Sequence, residues 1–136
     1  MRWAQSPIRV CRAVTASSTS GWAAPEVVDE FSRCVELCRD VDDSGTAADL
    51  VRALSGLWSY WISEGDFERC QVVSRQLIAQ LDRAGAGGRV ATVQSIRGTE
   101  AFWTGRLVEA RTALLQAAEL YDDDRFRSTE WGLAHD

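Results

Sequence analysis

Gly105-Arg106-Leu107-Val108-Glu109-Ala110-Arg111-Thr112-Ala113-Leu114-Leu115-Gln116-Ala117 is the stretch on which the fold turns. Leu107, Ala110, Leu114, Ala117 and Tyr121 recur at steps of three and four, which places them on one helical face, so a helix is predicted over 107–121. A glycine joint, Thr104-Gly105-Arg106, opens it. Moving back along the chain, the same arrangement returns over 67–83 behind Gly65, with Phe67, Cys70, Val73, Leu77 and Leu81 in register. It returns again over 25–39 behind Gly21, with Val27, Phe31, Cys34 and Cys38. Val27, Phe31 and Cys34 correspond to Cys70, Ser74 and Leu77, and these to Ala110, Leu114 and Ala117, at offsets of 43 and 40 residues. The chain is therefore internally repetitive, and the unit is a helix–turn–helix.

Two further helical stretches fill the gaps. The one over 46–63 carries Leu50, Leu54, Leu57, Trp58 and Trp61, and the one over 89–104 carries Val90, Val93, Ile96, Ala101 and Phe102. Pro25 suits a first helical turn, where its missing N–H is not needed, and Glu26, Asp29 and Glu30 favour the positive end of the helix dipole. Gly56 and Gly98 fall inside helices at a cost of about 1 kcal/mol each relative to alanine, which predicts that another helix approaches closely there. Asp42-Asp43-Ser44-Gly45, Glu64-Gly65-Asp66 and Gly85-Ala86-Gly87-Gly88 mark the other joints, and no segment alternates with the period of a strand. The expectation is an all-α fold of five or six helices, paired antiparallel and stacked as a short right-handed solenoid. Residues 21–121 form the repeats, 1–20 a frayed or partial first helix, and 122–136 an acidic linker with the truncated start of a further helix.

Composition narrows the function. A chain of 136 residues suits one domain, and its 46% apolar and 26% charged residues are those of an ordinary globular protein. All 15 basic residues are Arg, no Lys is present, and the one histidine is His135. A phosphate-gripping loop ending in Lys and a Schiff-base site are excluded, and a Ser-His-Asp or Cys-His site would hang from His135. No enzyme activity, cofactor or metal is expected. The net charge of -5 argues against a phosphate-neutralising surface, so direct nucleic-acid binding is not expected. Arg2, Arg9 and Arg12 precede the first acidic residue, Glu26, as in a transit peptide, but Ile8, Val10, Cys11, Ala13 and Val14 make no clean amphipathic stripe. With no run of roughly 18 to 20 apolar residues, no membrane contact is expected and a cytoplasmic location is.

The smaller motifs read in the same way. Cys11, Cys34, Cys38 and Cys70 lack CxxC spacing, and although Cys34 and Cys38 lie one turn apart, small buried hydrophobes account for them better than a metal pair. Asp122, Asp123 and Asp124 beside Arg125 and Arg127 lack the spacing of a calcium loop and read as a solvated linker, and Glu64 and Asp66 read as turn residues. Trp58 and Trp61 are accounted for by packing between paired helices, and Trp103 suits either core or groove.

Gly98, Gly105, Ala110, Leu114 and Ala117 resemble, residue by residue, the signature of a tetratricopeptide (TPR) repeat, with Gly65, Leu54, Leu57 and Trp61 fitting the preceding unit. There Trp58 stands in place of the inner glycine and Ser74 in place of the large residue. A closing proline is absent, and the period exceeds the roughly 34 residues of the standard repeat. The set Gly21-Trp22-Ala23-Ala24-Pro25-Glu26-Val27, Glu36-Leu37-Cys38, Leu54-Ser55-Gly56-Leu57-Trp58, Gly105 to Arg111 and Leu120-Tyr121-Asp122 resembles the degenerate TPR region of bacterial multidomain signalling proteins. These are predicted ATPases, adenylate or guanylate cyclases and LuxR-type regulators. The resemblance implies non-catalytic protein–protein interaction by a fragment or split relative of such a regulator. The alternative is the regulatory part of a cyclase or transcriptional regulator whose catalytic or DNA-binding domain lies on another chain. It also implies that the first helix of each unit lines the groove, making Arg52, Ser55, Ser59, Gln94, Arg97 and Glu100 the candidate groove residues. Arg52 and Arg97 suit a carboxylate-bearing segment, because a guanidinium fork engages both carboxylate oxygens. The partner is a protein or peptide segment, and uncapped repeat ends predict self-association.

Overall fold

The computed structural model describes residues 24–39, 44–84 and 89–121. Five helices occupy them: α1 (Pro25–Cys38), α2 (Ser44–Glu64), α3 (Phe67–Ala84), α4 (Arg89–Trp103) and α5 (Leu107–Glu119), with no strand among the described residues. The all-α expectation holds. Pro25 occupies the first turn of α1 behind Ala24, whose backbone is extended, and Glu26 lies in the first turn. The frayed first helix placed over 1–20 and the linker over 122–136 lie outside the described residues.

The chain divides into two compact units, residues 1–80 and 81–136. In the first, α1 packs on α2. Val27, Phe31 and Cys34 of α1 are completely buried, and Gly56 of α2 lies against the Phe31 ring so closely that a Cβ there would collide with Cε2 and Cζ. Burying an aromatic side chain of this kind contributes on the order of 2–3 kcal/mol, which outweighs the cost of a glycine inside α2. From α3, Cys70, Val73 and Leu77 are buried, and the Cys70 Sγ lies 4.0 Å from the Trp58 carbonyl oxygen of α2.

In the second unit α4 packs on α5. Gly98 faces Leu114, where a Cβ would fall 2.6 Å from Leu114 Cγ and 3.2 Å from its backbone nitrogen. Both interior glycines thus admit a neighbouring helix, as their positions predict. Ile96, Ala101, Ala110 and Ala117 are buried in this unit.

Two loops close in the same way forty residues apart. At the end of α2, Gly65 N–H donates to Ile62 O (3.2 Å) and Asp66 N–H to Trp61 O (3.0 Å); at the end of α4, Gly105 N–H donates to Phe102 O (3.1 Å) and Arg106 N–H to Ala101 O (2.8 Å). This pair of bonds is a Schellman motif, which needs a left-handed residue after the helix; Gly65 and Gly105 have φ of 74° and 78°. Tight reversal at a glycine is what joins α2 to α3 and α4 to α5.

The apolar stripe predicted over 107–121 requires correction. The helix stops at Glu119, and Leu107, Leu114 and Tyr121 are 60%, 38% and 50% exposed, leaving Ala110 and Ala117 as its buried residues. Val90 and Phe102 of α4 are likewise exposed. The reason is geometric: among the described residues α4 is the main neighbour of α5, and one neighbour covers only the strip of small residues facing it.

Candidate functional site

The hairpin α4–α5 carries an open cleft of about 350 Å³. Close approach at Gly98 brings the helices together, and small side chains at Ala91 and Ser95 on α4 and at Ala118 on α5 leave the space that Leu114 and Tyr121 border. Among the described residues no carboxylate, imidazole, thiol or cation lines it. Such a surface accommodates apolar side chains by contact.

The sequence-predicted groove residues fall into two sets, one in each unit. On α2, Arg52 is half-buried and pairs with the buried Asp49 at 3.5 Å, while Ser55 is only 3% exposed and donates its hydroxyl to Val51 O at 2.8 Å. Ser59 is half-buried, and its carbonyl accepts the Ser63 hydroxyl. On α4, Gln94 and Glu100 are half-buried and Arg97 is exposed, with no ion pair to any described residue. Ser55 presents no hydroxyl to a surface, because a back-bond to the preceding turn satisfies it in the interior.

The repeat-signature residues do structural work. Gly65 and Gly105 make the turns, Gly98 receives Leu114, and Ala110 and Ala117 fill the α4–α5 contact. Trp58 and Trp61 are half-buried; Trp61 meets Tyr60 edge-on at 4.8 Å, and the Arg69 guanidinium lies 4.7 Å over its ring. Trp103, 54% exposed, meets Phe102 edge-on. Cys34 and Cys38 are buried with their sulfurs 4.0 Å apart, and Cys70 is buried as well. Among the described residues no group of three or more His, Cys, Asp or Glu is placed to hold a metal ion, and no helix is long and apolar enough to cross a membrane. Cys11, Asp122–Asp124 and His135 lie outside the described residues.

The cleft residues Ala91, Ser95 and Ala118 are absent from the sequence-derived candidates. The signal lies in the repeat itself, since Ala118 stands where α1 has the buried Val35. No family model matches the chain, and no curated protein or solved structure is significantly similar to it.

Proposed function

We propose that this chain is a non-catalytic, TPR-like protein-interaction module, built of hairpins of about forty residues and belonging by resemblance to the regulatory regions of bacterial ATPase, cyclase or LuxR-type signalling proteins. The observation that carries the reading is the recurrence of one hydrogen-bonded turn at Gly65 and Gly105, each followed by a helix with a buried small residue at the same step, Cys70 and Ala110. Repeats of this kind present the outer rows of their first helices to a partner. On α4 that row is Gln94, Arg97 and Glu100, and Arg97 holds an exposed guanidinium suited to a carboxylate on an extended or helical protein segment.

The test is fluorescence anisotropy of the purified chain against a panel of acidic and neutral peptides. Acidic peptides should bind, and Arg97→Glu should weaken them by about tenfold, the effect of losing one charge-assisted bond and adding a repulsion. ATP or GTP turnover by the chain, or a salt-sensitive shift of duplex DNA, would defeat the proposal, as would equal affinity for neutral and acidic peptides.

A further inference from the structure

Helix α5 presents two sides. Ala110 and Ala117, its buried residues, pack toward α4, and Leu114 beside them meets Gly98. At about 100° per residue, Leu115 points about 140–160° away from Ala110 and Ala117, onto the side that α4 leaves uncovered. There Arg111, Leu115 and Glu119 form one row at four-residue steps, and all three are exposed, Leu115 at 53%. Thr112, next to the row, donates its hydroxyl back to Val108 O at 3.0 Å and asks for no polar partner, and Val108 beyond it is 82% exposed. The charges of the row are uncommitted within the helix. Glu109 is taken by Arg106 at 2.7 Å, whereas Arg111 and Glu119 make no ion pair with a described residue.

A cation, an apolar residue and a carboxylate at equal steps make a self-complementary row. Arg111 and Glu119 lie about 6 Å to either side of Leu115 along the helix. When helices cross at about 50°, the commonest class, their every-fourth-residue rows run side by side. A second copy laid on this side with its row in the opposite sense sets Leu115 against Leu115 and each Arg111 against a Glu119, so one two-fold axis makes the ion pair twice. A row in the same sense would oppose Arg111 to Arg111, and a slide of one turn would set Leu115 against a charge. Charge therefore selects a single register. We propose that the chain dimerises through α5, row against row about a two-fold axis at Leu115, with the two Arg111–Glu119 pairs fixing the register. The helix has 13 residues and is about 20 Å long, so the contact is small beside a standard interface of roughly 1,600 Å², and the dimer is weak, with a Kd on the order of 100 μM.

Sedimentation velocity of the full-length chain across a concentration series reads the association, and a closed two-fold contact stops at the dimer. Arg111→Glu and Glu119→Arg, both at exposed positions, should each weaken dimerisation by about tenfold or more, since each turns two attractions into two repulsions. The two reversals in one chain should restore it to within about threefold, and so should an equimolar mixture of the two single variants, in which each chain carries the other's complement. Leu115→Arg should abolish dimers outright while the circular dichroism stays helical. A monomer at every concentration, growth beyond the dimer, association indifferent to both reversals, or a loss that neither the double variant nor the mixture recovers overturns the proposal. Peptide binding at Arg97 of α4 is a separate measurement, so this proposal and the one above stand or fall independently.

Discussion

At Gly65 and Gly105 the backbone enters the left-handed region with open space around each Cα, so the objection to a side chain there is conformational and not steric. Gly65→Ala and Gly105→Ala should each cost about 1 kcal/mol in urea denaturation, since a Cβ is disfavoured at positive φ. Gly56 and Gly98 reverse the logic: helical backbone tolerates alanine, but Phe31 or Leu114 stands where the methyl would go. Gly98→Ala should therefore destabilise by about 1–3 kcal/mol through overpacking, although alanine is the better helix former by about 1 kcal/mol. A net stabilisation would mean that Leu114 moves aside freely. The corresponding site of the first hairpin exchanges bulk, with Trp58 forty residues before Gly98 and the buried Ser74 forty before Leu114. Ser74→Leu alone should be destabilising, and a double-mutant cycle with Trp58→Gly should show favourable coupling of about 1 kcal/mol or more.

Elements differ in how their ends are secured. Asp66 begins α3 by accepting the Arg69 N–H at 3.0 Å and pairing with its guanidinium at 3.6 Å. Forty residues later α5 begins with the signs reversed: Arg106 pairs with Glu109 at 2.7 Å and caps nothing with its side chain. The exchange Arg106→Asp with Glu109→Arg should stabilise the chain by about 1 kcal/mol, the worth of an N-cap, with the surface pair itself adding little. Thermal denaturation at fixed pH measures it. Helix positions were largely legible in the sequence because glycine joints and three-and-four spacing are local signals; α3 and α4 end within a residue of expectation. Burial of Ser55 and Asp49 was not legible, because it depends on a back-bond to Val51 and an ion pair with Arg52 that hide polarity from any pattern. The exposure of Leu107 and Tyr121 was equally hidden, since periodicity defines a face without saying what covers it.

For the molecule as a whole, exposed apolar side chains set the solution behaviour. Val108 is 82% and Leu115 53% exposed, and the residues forty positions earlier are Glu68 and Arg75. Contiguous apolar surface of this sort favours association. Sedimentation velocity should show the chain self-associating with concentration, and Val108→Glu with Leu115→Arg, which copies the earlier repeat, should abolish this without loss of helicity. A monomer at every concentration before substitution would show that the face is too small or already covered. The candidate site was only partly legible at this scale: Arg97 is exposed where helical spacing puts it, whereas Ser55 is buried, and nothing in the spacing marks the small-residue hollow at Ala91, Ser95 and Ala118.

The paired reversals at Gly65 and Gly105 use main-chain groups and one missing side chain, and leave every other neighbour unconstrained. Drift can recolour such a hairpin, trading acid for base or indole for hydrogen, while the bend survives. Within this chain the interval between the two glycines is kept while the residues flanking them differ, so a hairpin taken whole, from one glycine-bounded joint to the next, is the natural piece to transplant when longer arrays are built.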